Sequence, residues 1–279
     1  TGAGPWLVAP GGDRAARYGG VMNPPADAID PLERGLGWVG IGAYGLIGPN
    51  AAGKTTLLRK LHAQGNASIA PSAADATFAG YTVADHLVCA RLARPNFDDA
   101  LASRILGDIP LKARFASLSA GQRRLLTLAS TLASDKPMLL LDEPLDGLDI
   151  DSRTMLREVF IELLAESERI LVIATHRAED LVGLVDHVIT VHDNSVSAPV
   201  ELDIVRENFP TLTGSTAVIE EIVSRKKVVD KRALGGISAV TLAEALSSSE
   251  TVRAQAEGID ISTADDPTLI NLLASTERN

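Results

Sequence analysis

Residues Gly48, Pro49, Asn50, Ala51, Ala52, Gly53, Lys54 and Thr55 follow the pattern G-x-x-x-x-G-K-[ST], and this run constrains the fold more than any other part of the chain. An apolar stretch from Ala43 to Ile47 precedes it, and a helix from Lys54 to about His62 is expected after it. Strand, glycine-bearing turn and helix in that order open an α/β unit. The backbone N–H groups of such a turn and of the helix N-terminus converge on one concavity, which suits the β- and γ-phosphates of a nucleotide. Lys54 is placed to neutralise those phosphates, the Thr55 hydroxyl to hold Mg²⁺, and Thr56 completes the expected ATP-binding set. Gly40, Gly42 and Gly45 also fit a dinucleotide G-x-G-x-x-G pattern. These glycines enter a strand rather than leading from one into a helix, so that reading fails.

A second constraint lies downstream. Met138 to Leu141 is a continuous apolar run that ends in Asp142 and Glu143. Such a run is expected as a buried parallel strand, and its C-terminal end is where ligands bind in open α/β sheets. With a phosphate loop upstream, Asp142 suits Mg²⁺ coordination and Glu143 suits a general base that polarises the attacking water. Without one, the pair would simply cap the next helix.

The remaining pattern extends the same architecture. Ile170 to Ala174 and His187 to Val191 read as further buried strands, with helices expected near Ser152 to Ser167 and over Ala178 to Val185. Alternating strands and helices predict an α/β fold with a mostly parallel, covered sheet. Asp193 and Asn194 supply a turn. Residues 1 to 36 are rich in Gly, Pro and Ala and read as loops with at most a short strand. Beyond Pro199 the elements shorten, with candidates at Glu201 to Phe209, Ala217 to Val223, Thr241 to Glu257 and Pro267 to Ala274. The expected division is a nucleotide-binding domain over 1–199 and a small α+β accessory domain over 200–279.

Composition narrows the function classes. No run reaches the roughly 18 to 20 apolar residues needed to cross a bilayer. The opening from Thr1 to Pro10 lacks a basic stretch leading into an apolar core, so secretion is not expected, although the missing initiator Met leaves a trimmed segment open. A net charge of −10 argues against nucleic acid as the main partner. The dense basic run Arg225, Lys226, Lys227, Lys231, Arg232 reads as a solvated face. One cysteine, Cys89, excludes an intramolecular disulfide and fits a reducing compartment, and it is expected as a buried small hydrophobe.

Leu118, Ser119, Ala120, Gly121 and Gln122 stand between the phosphate loop and the carboxylate strand. Taken alone, Ser119 reads as the N-cap of a helix running to about Ala133. In this order the stretch resembles the LSGGQ signature of the ATP-binding-cassette proteins, and the chain is similar to their transporter ATPase subunits. The resemblance implies a phosphate-loop fold with a helical subdomain, ATP and Mg²⁺ as cofactors, and a head-to-tail homodimer or heterodimer in which Ser119 and Gly121 reach the γ-phosphate held by the partner. It also implies that Asp146, Gly147, Leu148 and Asp149 form the loop crossing that interface, that His176 contacts the γ-phosphate, and that Tyr18 stacks on adenine. Read without the resemblance, His176 is a strand-end residue and Tyr18 a core tyrosine.

The same resemblance implies a cytoplasmic subunit, peripheral on the inner face of the cell membrane, that powers separate transmembrane permease chains. The tail is similar to the small C-terminal unit of drug or peptide exporters. The sequence departs from the family in four respects. No glutamine stands near Pro71 to Ala74, where the family has one. The stretch from Thr55 to Leu118 is short and predicts a reduced helical subdomain. Ala51 and Ala120 replace glycines, and Asp146 replaces a small polar residue. Two alternatives stay open: a regulatory module that binds ATP and hydrolyses it weakly, and a non-transport ATPase of the same family.

Overall fold

The computed structural model describes residues 40–276, which divide into two compact units, one of residues 208–262 and one of residues 40–207 with 263–276. In the larger unit the chain runs through β1 (Gly42–Ile47), α1 (Lys54–Ala63), β2 (Ala67–Ala70), α2 (Val83–Ala93), α3 (Asp99–Leu106), α4 (Ala120–Leu132), β3 (Met138–Asp142), α5 (Ile150–Glu166), β4 (Ile170–Thr175), β5 (His187–His192), β6 (Ser195–Val196), β7 (Val200–Glu201) and α6 (Leu202–Asn208). The sheet order is β2-β3-β4-β1-β5-β6, with β7 on β5. The pairs β2–β3, β3–β4, β4–β1 and β1–β5 are parallel, and the short β6 and β7 run antiparallel to β5.

The apolar runs are continuous because both faces of this sheet are covered. Along each strand the side chains alternate between two cores. Leu139, Leu141, Leu171, Ile173 and Val188 face one packed by Leu126, Leu156 and Phe160 of α4 and α5. Leu140, Val172, Ala174 and Ile189 face the other, packed by Leu57, Leu58 and Leu61 of α1. Since β4 lies between β1 and β3, the ends of all three strands open on one edge. That edge carries Gly48, Asp142 and His176.

Three sequence expectations change. The helix expected over 178–185 is a single 3₁₀ turn, Ala178–Asp180. Arg157 of α5 takes the carbonyls of Asp180 and Val182, which a continuing helix needs for its own N–H groups, and Gly183 has φ +65. Cys89 lies exposed on α2 instead of in the core, because the buried positions there are Val83, Leu87 and Ala90. The expected boundary near residue 200 also moves. The last helix, named below, belongs with the larger unit, where Ile270 joins the core and Arg206 pairs with Asp266 at 2.8 Å.

The smaller unit has β8 (Pro210–Ser215), α7 (Thr216–Val223), β9 (Val228–Leu234), β10 (Ile237–Leu242), α8 (Ser248–Ala256) and β11 (Asp260–Thr263), after which the chain enters α9 (Asp266–Thr276). Its strands lie in the order β11-β8-β10-β9, a β-α-β-β-α-β arrangement of the ferredoxin-like kind. Leu212, Ile219, Val240, Leu242 and Ala254 form its core. Thr241 to Glu257, a single sequence candidate, is here a strand end, a connection and α8. The basic run is matched by acids: Lys226 meets Glu250 at 3.0 Å, Lys231 meets Glu220 at 2.9 Å and Arg232 meets Asp230 at 2.9 Å.

Candidate functional site

The turn from Gly48 to Gly53 leaves the end of β1 and feeds α1, and two glycines permit it. A Cβ at Gly48 would stand 2.2 Å from the Val191 carbonyl oxygen, and Gly53 has φ +109. Ala51 takes φ +64 without being glycine. Lys54, only 6% exposed, donates from Nζ to the carbonyls of Gly48 at 2.8 Å and Pro49 at 3.1 Å, curling the loop around its own ammonium. Burial lowers the Lys54 pKa, and the charges of Glu143 and Asp142 oppose that shift.

The two carboxylates differ in environment. Asp142, 2% exposed at the end of β3, accepts a hydrogen bond on Oδ2 from Thr55 Oγ1 at 2.7 Å. Burial raises its pKa, the Thr55 hydrogen bond pulls it down, and neighbouring Glu143 pushes it up. Glu143 has φ +49, an uncommon conformation for a side-chain-bearing residue, and its N–H donates to Ala174 at 2.8 Å. Its Oε1 lies 2.9 Å from His176 Nδ1 and 4.0 Å from Lys54 Nζ, while its buried Oε2 has no hydrogen-bond partner. The Thr55 hydroxyl and the Asp142 carboxylate are hard oxygen donors side by side, the chemistry that Mg²⁺ accepts.

One pocket collects Asn50, Ala51, Gly53, Lys54, Thr55, Thr56, Ser72, Asp142, Glu143 and Asn194. Leu118 to Gln122 take no part in its lining. Ser119 instead caps α4, accepting from Gln122 N at 3.1 Å while its own N–H donates to Gln122 Oε1 at 2.9 Å. Leu118 is buried and Ala120 is exposed as the first residue of α4. A Cβ on Gly121 would lie 3.3 Å from the Gly147 carbonyl oxygen, so the signature packs against the 146–149 loop of its own chain. In that loop Leu148 is buried, Asp149 caps α5 by accepting from Ser152 N at 2.8 Å, and Asp146 lies 3.8 Å from Arg177. Tyr18 lies outside the described residues.

Three residues that sequence reasoning did not assign to the site belong to it or support it. Ser72 enters the pocket just after β2, at the place where a glutamine was sought. Asn194 enters from the β5–β6 turn. Arg124, 2% exposed on α4, donates to the carbonyls of Pro144 at 3.2 Å, Pro71 at 2.5 Å and Asp142. Burial lowers its pKa to about 10, with Asp142, Asp146 and Glu143 opposing. The available signal was a lone arginine in the core register of an amphipathic helix.

A family model described as ABC transporter matches residues 65–146. The chain is 27% identical over 189 residues to the ABC transporter ATP-binding protein YtrB of Bacillus subtilis, covering 60% of this chain and 65% of that protein. It is 36% identical over 106 residues to the thiamine import ATP-binding protein ThiQ of Haemophilus influenzae, covering 38% and 49%. It is 32% identical over 185 residues to the Nod factor export ATP-binding protein I of Burkholderia orbicola, covering 54% and 59%. The chain thus spans from about half to just under two thirds of the length of these curated relatives. A solved structure titled as the ATP binding subunit of an ABC transporter superposes with a TM-score of 0.51 at 23% identity, covering 59% of this chain and 80% of the other, and shares the fold. Signature, phosphate loop and carboxylate strand stand in this order, residues 65–146 match the ABC transporter family model, and the chain is similar to ATP-binding proteins of that kind.

Proposed function

We propose that the chain hydrolyses Mg²⁺-ATP as one subunit of a dimer and drives separate transmembrane permease chains. The observation that carries this reading is the Glu143–His176 hydrogen bond at 2.9 Å beside a loop closed around Lys54. Glu143 then acts as general base on the attacking water, His176 orients it and meets the γ-phosphate, and Lys54 leaves its loop carbonyls for the phosphates. Gly48, Pro49, Asn50, Ala51, Ala52 and Gly53 cradle the nucleotide with backbone N–H groups, and Thr56 completes the rim. Thr55 and Asp142 would hold Mg²⁺, which would supply positive charge against the phosphates.

The signature residues Leu118 to Gln122 do not line their own pocket and serve that of a second subunit, identical or paralogous, with Asp146 to Asp149 crossing between them. Among the described residues no helix is long and apolar enough to cross a membrane, which fits a subunit held at the inner face by its partners. Export is the direction this reading favours, by likeness to the Nod factor export relative.

The test is Mg²⁺-dependent ATP turnover across protein concentration, with Lys54→Ala as control. Specific activity that rises with concentration and vanishes in the control supports the reading. Glu143→Gln should lower turnover by roughly 10²-fold or more and spare ATP binding. Normal turnover by that variant refutes the general-base role. Tight binding without turnover would favour the regulatory module, a reading supported by Ser72 in place of a glutamine.

A further inference from the structure

The β5–β6 hairpin turns through Asp193 and Asn194, with φ of +48 and +63, between His192 and Ser195, which pair across it. Two left-handed residues in a two-residue loop make a type I′ turn, whose second position favours glycine. Asparagine tolerates the same backbone and adds a side-chain amide. The turn is fastened to the phosphate loop, because the Asn194 N–H donates to the Ala52 carbonyl at 3.0 Å. A Cβ on Gly53 would stand 2.7 Å from Asn194 Oδ1, so the amide sits over the glycine that precedes Lys54. Asn194 lines the pocket with Lys54, Thr55 and Thr56, whereas Asp193 does not and its side chain is 90% exposed.

We propose that Asn194 is a nucleotide-binding residue whose side-chain amide donates to the phosphate chain of bound ATP. The inference rests on the pocket being an ATP site. A neutral amide offers two N–H donors to a ligand made of acceptors, without the repulsion a carboxylate would bring. It also explains why a turn that glycine would satisfy carries a side chain here.

The test is equilibrium binding of fluorescent mant-ATP with Mg²⁺ to the full chain and to Asn194→Gly, Asn194→Asp and Lys54→Ala. Glycine keeps the left-handed turn, so Asn194→Gly should fold normally and weaken binding roughly 5-fold through loss of one hydrogen bond to a charged group. Asn194→Asp should weaken it roughly 30-fold or more, and raising the salt should shrink that defect because like-charge repulsion is screened. A side chain that only props the turn would give equal, salt-independent losses in both variants, which would overturn the proposal. Parental affinity in Asn194→Asp would overturn it as well. If Lys54→Ala retains mant-ATP binding, the ATP-site reading itself falls. If Lys54→Ala loses binding while both Asn194 variants bind like the parent, only the Asn194 assignment falls.

Discussion

Arg124→Met removes a side chain that ties α4 to the ends of β2 and β3. Three carbonyls, of Pro71, Asp142 and Pro144, lose their donor at a place where the arginine is 2% exposed. A buried polar group left unsatisfied costs about 1–3 kcal/mol, and the low end applies where neighbouring backbone relaxes. The variant also strips a positive charge from beside Asp142, Asp146 and Glu143, a further penalty of the kind seen when a buried pair loses one partner. Together these give a loss of about 4 kcal/mol. For a unit of this size each kcal/mol moves Tm by roughly 2–4 °C, so the midpoint should fall by about 10 °C. Calorimetry or dye-monitored melting of the full chain measures this directly. Arg124→Lys keeps the charge and reaches fewer carbonyls, so it should fall between the parent and Arg124→Met. A loss below about 1 kcal/mol in Arg124→Met would show that the carbonyls find other donors and that the strut is dispensable.

Other expectations are smaller. Ala51→Gly releases a left-handed alanine at φ +64 and should raise stability by roughly 0.5 kcal/mol after the glycine entropy cost, measured by urea titration; a loss would show that the loop tolerates alanine without strain. Glu250, capped by Ser247 and paired with Lys226, has its pKa lowered to about 2, so its stabilising effect is complete above its usual value near 4.5 and fades as pH falls toward 2. The stability gap between the parent and Glu250→Gln should therefore narrow from pH 6 to pH 3, and a constant gap would contradict the pairing. Cys89, exposed on α2, should react with a thiol reagent in the native protein at close to the rate of a free cysteine, whereas protection until unfolding would return it to the core.

How far the sequence was legible follows from how local each cause is. The phosphate loop, the Ser119 N-cap and the apolar strands are dictated by residues within one or two turns of each other, and each appears where its pattern placed it. The helix expected over 178–185 failed because its competitor, Arg157, lies more than twenty residues away and claims the carbonyls from another element. Cys89 was misplaced for a related reason: its helix carries only a narrow buried stripe, and nothing local says on which side of that stripe a small thiol falls. Ser72 and Asn194 went unassigned because a serine after a strand and an asparagine in a turn have sufficient local explanations, and only the sheet order brings both to the edge where β1 and β3 end. Motif logic thus reaches the groups that chemistry requires of every such site. The groups that adapt this one, Arg124 behind the carboxylates and Asn194 over Gly53, are set by tertiary approach.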